Sequence, residues 1–168
     1  MSVTNAASAS LTGGYDGISV IGGAGTVVNY GGIAGGSTGN GIYLNAGGSV
    51  TNAASASITS GLEGIGISNG AGTVVNDGSI AAIGIQRSGG YLTAGGSATN
   101  AAYGSGLGAY RAVVLHQSAG FWANSGESGG RPRARATRSP AERGATPCNP
   151  APRPPPAERG SPRGPGRA

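Results

Sequence analysis

VTNAASAS occurs twice in this chain, at Val3 to Ser10 and again at Val50 to Ser57. A relaxed form, Val-Val-Asn, lies between and beyond the copies, at Val27 to Asn29 and Val74 to Asn76. The pattern runs on through Ala98-Thr99-Asn100 and Trp122-Ala123-Asn124. The asparagines Asn5, Asn29, Asn52, Asn76, Asn100 and Asn124 are therefore spaced by 24, 23, 24, 24 and 24 residues. Self-similarity at this period marks a solenoid, in which a repeat buries its apolar face only against the repeats on either side.

Counted from its Val-x-Asn, each repeat carries three apolar clusters. The first is the Val-x-Asn itself. The second is one aliphatic residue: Leu11, Ile33, Ile58 and Ile80. The third is an alternating pair: Ile18 and Val20, Ile42 and Leu44, Ile65 and Ile67, Val113 and Leu115. In the fourth repeat Tyr91 and Leu92 take that place, with one inserted residue. Alternation is the mark of a strand with one buried face. Dense glycine and the absence of a three-and-four rhythm argue against helix.

Glycine pairs at Gly22-Gly23, Gly35-Gly36, Gly47-Gly48, Gly89-Gly90 and Gly95-Gly96 are expected to turn the chain with positive φ. Three short strands and three turns per repeat make one coil of a parallel β-helix. Stacked at about 4.8 Å, five coils and a fraction form a rod of roughly 25 Å. The expected fold is all-β, a solenoid of about five coils of 23–24 residues. In such a stack the six asparagines lie over one another and can form an amide ladder that fixes register. Odd and even coils differ, so identity is strongest over two coils: GAGTVVN at Gly23 to Asn29 returns at Gly70 to Asn76.

The chain divides into unlike parts. Residues 1–128 hold 30 of the 36 glycines and no proline. All ten prolines fall after residue 130. Residues 129–168 carry nine arginines against Glu142 and Glu158, a net of +7. The first 128 residues carry Arg87 and Arg111 against Asp16, Glu63, Asp77 and Glu127, a net of −2, which leaves the +5 of the whole chain. The high pI thus belongs to residues 129–168, which lack the aliphatic content to bury a core and are expected to be a disordered Arg/Pro-rich tail. The tail's composition also suits out-of-frame translation of G- and C-rich DNA, with a frameshift expected near residue 127. Cys148 is the sole cysteine, so no disulfide can form within the chain. No run approaches the roughly 18 apolar residues of a membrane-spanning helix, and no signal peptide is visible.

GAGTVVNDGSI (Gly70 to Ile80) and GGSVTNAASASI (Gly47 to Ile58) resemble the passenger repeats of bacterial autotransporters, the type V secreted surface proteins. The resemblance covers about residues 2–128. It implies a right-handed β-helix displayed at the cell surface or secreted, serving as an adhesin or other surface factor. Its partners would be host-cell surface or matrix molecules, or neighbouring β-helix coils through end-to-end self-association. The chain lacks the signal peptide and the translocator barrel of that family, and reads as a fragment.

Few residues suggest chemistry. The fourteenth position of successive repeats is Asp16, Asn40, Glu63, Arg87 and Arg111, expected as an exposed column. Asp16 and Glu63, two coils apart, would be about 9.6 Å from each other. That is close to the 6.5–9.5 Å or so of the carboxylates in inverting glycosidases, so a glycan-cleaving enzyme is the alternative. The competing reading is a solvated column with a Glu63–Arg87 surface pair, worth at most about 1 kcal/mol. His116, the single histidine, has no nucleophile or carboxylate set around it by any motif. The calcium-binding nonapeptide of repeat-in-toxin coils is absent, and GGAGT (Gly22 to Thr26) lacks the ending of a phosphate loop. No catalytic residue, cofactor or metal is expected. The arginines of the tail offer a second alternative, a basic-tail nucleic-acid-binding protein, although with no aromatics interleaved they would hold nucleic acid only nonspecifically.

Overall fold

The computed structural model describes residues 1–84, 87–101, 105–108, 111–116, 120–125 and 127–129, so the tail beyond Gly129, with Cys148, lies outside the described residues. These residues form strands and turns and no helix. The first coil is β1 (Ser2–Asn5), β2 (Ser10–Thr12) and β3 (Ile18–Val20). The second is β4 (Gly25–Asn29), β5 (Gly32–Ala34) and β6 (Ile42–Leu44). The third is β7 (Gly48–Asn52), β8 (Ser57–Ser60) and β9 (Ile65–Ile67). The fourth is β10 (Gly72–Asn76), β11 (Ser79–Ala82) and β12 (Ser88–Leu92). The fifth is β13 (Gly96–Asn100), β14 (Ser105–Gly108) and β15 (Arg111–Leu115), and β16 (Gly120–Asn124) and β17 (Glu127–Gly129) begin a sixth.

Every third strand pairs in parallel, giving sheets of six, six and five strands that wrap one core. This is the parallel β-solenoid expected from the repeat. In the first sheet Val27 pairs with Val3 and with Val50, and Asn29 with Asn5 and with Asn52. In the second, Ile33 pairs with Leu11 and Ile58. In the third, Ile42 and Leu44 pair with Ile18 and Val20 and with Ile65 and Ile67. The alternation puts one side of each strand inside, and Val27, Ile33, Leu44, Val50, Ile58, Ile65 and Ile67 are fully buried or nearly so. Each such side chain contributes roughly 1.5–3 kcal/mol by leaving water.

The two-coil identity has a cause in corner length. Four residues, Ala6 to Ala9, separate Asn5 from β2, and Ala53 to Ala56 separate Asn52 from β8. Only Tyr30 and Gly31 follow Asn29, and only Asp77 and Gly78 follow Asn76. The long corners are β-turns, closed by Ala9 N–H to the Ala6 carbonyl (3.1 Å) and Ala56 N–H to the Ala53 carbonyl (3.0 Å). Their third residues, Ser8 and Ser55, take φ of 62° and 67°. The next corner compensates: Leu11 to Ile18 and Ile58 to Ile65 are seven residues apart, Ile33 to Ile42 nine. A coil that is long at one corner is short at the next.

Three expectations about the corners are corrected. Gly89-Gly90 lie inside β12, not at a turn. Gly35-Gly36 turn the chain without positive φ, which among the described glycines is confined to Gly22, Gly47, Gly48, Gly95 and Gly96. The expected inward pair Tyr91 and Leu92 is also revised. Leu92 aligns with Ile67 and is fully buried, but Tyr91 aligns with Gly66 and faces out. The inward partner of Ile65 and Val113 is Gly90. With Ala98 standing where the coils before it have valine, the core retains a cavity of about 30 Å³ bordered by Gly90, Ala98, Val113 and Trp122. The indole Nε1 of Trp122 is buried there without a hydrogen-bond partner among the described residues.

Candidate functional site

Two polar columns and one outer face hold the side chains that could act. The first column is the asparagine series. Asn5 Nδ2 donates to Asn29 Oδ1 at 2.8 Å, Asn29 to Asn52 at 2.8 Å, and Asn52 to Asn76 at 2.8 Å. Asn76 donates to Asn100 at 2.7 Å, and Asn100 to Asn124 at 2.8 Å. Each asparagine closes a strand of the first sheet and turns inward, and Asn5 to Asn100 are buried. The amides also serve the backbone: Asn5, Asn29 and Asn52 donate to the carbonyls of Gly32, Ser57 and Ser79 at 3.0, 3.1 and 3.1 Å. A buried amide must be matched or it costs about 1–3 kcal/mol, so a coil slipped by one residue would strand several groups at once.

The second column is the carboxylate corner that leads into the third sheet. Its members are not the five expected. Backbone bonds from Gly17 to Asn40, Gly41 to Glu63 and Gly64 to Ser88 fix the order Asp16, Asn40, Glu63, Ser88. Arg111 continues it as the partner of Ser88. The insertion in the fourth coil pushes Arg87 out of the column into solvent, so Ser88 takes its place. Nor is the column simply exposed. Asp16 and Glu63 are half-buried, and Asn40 is buried.

Both carboxylates are tied to the following coil. Asp16 Oδ1 accepts the Asn40 N–H at 2.8 Å and Asn40 Nδ2 at 3.0 Å. Glu63 Oε2 accepts the Ser88 N–H at 2.8 Å, in place of the expected ion pair with Arg87. Burial pushes the Glu63 carboxyl above its ordinary pKa, outweighing the Ser88 hydrogen bond and the Arg87 charge, both of which pull it down. Chemically, the corner caps backbone N–H groups that the turn leaves without a strand partner.

The outer face of the third sheet was not singled out from the sequence. Its outward positions are Ser19, Tyr43, Gly66, Tyr91 and Val114. The Tyr43 hydroxyl donates to Asn45 Oδ1 at 2.9 Å. Asn69 Nδ2 donates to the same oxygen at 2.9 Å and to the Asn45 carbonyl at 3.1 Å. The signal was present: Asn45 and Asn69 are 24 residues apart, the period of the buried ladder. His116 is exposed just past β15, with its ring 6.4 Å from that of Tyr91.

Among the described residues no three of His, Cys, Asp and Glu converge on a point that could hold a metal ion. No helix there is long and apolar enough to cross a membrane. No family model, no curated protein and no solved structure matches the chain.

Proposed function

We propose that this chain is a non-enzymatic structural and adhesive segment of a bacterial surface-exposed passenger, the role implied by its resemblance to autotransporter repeats. One observation carries the reading. The two carboxylates best spaced for chemistry, Asp16 and Glu63, each bind the backbone of the next coil. A carboxylate held by a structural N–H is poorly placed to deliver or take a substrate proton, because a general acid or base must reach the reacting atom itself. What the rod offers is rigidity, from stacked aliphatic columns and a continuous amide ladder, together with broad flat faces of parallel strands for contact.

Adhesion of coated beads tests it. Beads carrying the full chain should bind cultured epithelial cells or immobilised matrix several-fold more than albumin-coated beads. Equal binding by the two kinds of bead would sink the adhesive role. Hydrolysis of a polysaccharide by the chain, abolished by Glu63→Gln, would replace it with the enzymatic alternative.

A further inference from the structure

We propose that the outer face of the third sheet, centred on Gly66, is a binding site for a neutral oligosaccharide. The inference deepens the adhesive reading and rests on it for its biological setting, but its geometry stands independently.

Gly66 lies between two tyrosines, Tyr43 one coil before and Tyr91 one coil after. The Tyr43 ring leans over it. Its Cδ2 is 3.3 Å from where a Cβ on Gly66 would stand, and Asn40 Oδ1 is 3.4 Å from the same point. Gly66 is buried beneath that ring, and its lack of a side chain lets Tyr43 lie close on the sheet as a flat floor. Tyr43 is held in place by its hydroxyl bond to Asn45, and Asn45 in turn by two bonds from Asn69. A tyrosine pinned at its hydroxyl loses little further freedom when a ligand stacks on it.

Around this floor several amide groups are left over. Asn40 is only 7% exposed and spends its Nδ2 on Asp16, yet its Oδ1, which faces Gly66, has no donor among the described residues. Asn45 Nδ2 has no acceptor there, and Asn69 Oδ1 has no donor. A pyranose presents the matching chemistry. Its C–H face suits the negative face of an aromatic ring. Its hydroxyls are at once donors and acceptors, as an amide requires. None of the six residues carries a charge, which favours a neutral sugar over an acidic one. Tyr43 and Tyr91 are two coils apart, about 9.6 Å along the rod, so one sugar ring cannot cover both and the ligand is an oligosaccharide.

Titration calorimetry of the full chain with neutral hexasaccharides, the β-1,4-linked glucan, mannan and galactan, tests this. At least one should bind. Tyr43→Ala should weaken it about tenfold, the loss of a single aromatic anchor. Asn69→Ala, at an exposed position whose left-handed backbone (φ 57°) favours asparagine, should weaken it measurably in a chain that keeps a native circular dichroism spectrum, while Thr73→Ala on the first sheet should change nothing. Absence of binding to all three sugars overturns the site. So does unchanged affinity in Tyr43→Ala or Asn69→Ala with a native circular dichroism spectrum. The bead assay separates the two proposals. Adhesion without sugar binding leaves the adhesive role and removes this site. Sugar binding without adhesion does the reverse.

Discussion

The side-chain nitrogen of Asn29 lies 2.8 Å from Oδ1 of Asn52, and Asn52 gives its own nitrogen to Asn76 at the same distance. All the amides of the column therefore point the same way along the rod. In such a chain each bond polarises the next, so the members hold one another in place.

Asn52→Ala breaks the column at its middle. It removes the bond from Asn29, the bond to Asn76 and the bond to the Ser79 carbonyl together. Losing three buried hydrogen bonds should cost about 2–4 kcal/mol, read as a lower urea midpoint with little change in slope. Asn52→Asp should cost more at neutral pH, since it buries a negative charge, and should recover as the carboxyl is protonated in acid.

Glycines that look alike should respond in opposite directions. At Gly78 a Cβ would come within 2.8 Å of Asn52 Nδ2 and 2.5 Å of the Ala53 carbonyl. The short corner tucks beneath the long one there, so Gly78→Ala should cost about 1–3 kcal/mol by overpacking. At Gly90 a Cβ would meet nothing among the described residues nearer than Val113 Cγ2 at 3.7 Å, beside the cavity. Gly90→Ala should stabilise the chain by roughly 0.5–1 kcal/mol. Paired urea titrations of the two variants check the contrast.

Glu63 should make stability fall as pH rises. Its folded pKa is raised by burial, so the folded state keeps the proton longer than the unfolded one. The group favours the fold fully below the ordinary glutamate value of about 4.3, and that contribution disappears as pH climbs through the raised value. Glu63→Gln keeps an oxygen for the Ser88 N–H and has no charge to bury. Its unfolding free energy should be flat across that window, and at pH 7 at least equal to the parent's.

The course of the chain was legible because a solenoid sets homologous residues side by side. Val27, Ile33 and Leu44 had counterparts one repeat away on both sides, and a residue that must be buried in one coil must be buried in the next. What could not be read was the local slip. The fourth coil has one residue more between Ile80 and Leu92 than the second has between Ile33 and Leu44, and nothing in the spacing marks where it enters. Spacing alone therefore placed Arg87 opposite Glu63, where the structure has Ser88. The same slip disguised Gly90 as part of a turn and Tyr91 as a core residue. The Tyr43–Asn45–Asn69 network escaped notice for another reason: its residues face outward, where no burial constraint gives them a pattern.

Thr26 and Ser49 are direct partners in the first sheet, with Oγ1 and Oγ 3.5 Å apart. Thr26→Cys with Ser49→Cys, in a Cys148→Ser chain, should therefore close a disulfide within one molecule on mild oxidation. The pair Thr26→Cys and Thr51→Cys should not, because Cα atoms offset by one coil and two residues are about 8 Å apart, beyond the reach of the bond. The decisive reading is the mass of the oxidised chains under non-reducing conditions. Efficient closure of the first pair alone is the expected result. Equal closure of both, or closure of only the second, would contradict a stack in which equivalent residues of successive coils lie directly over one another.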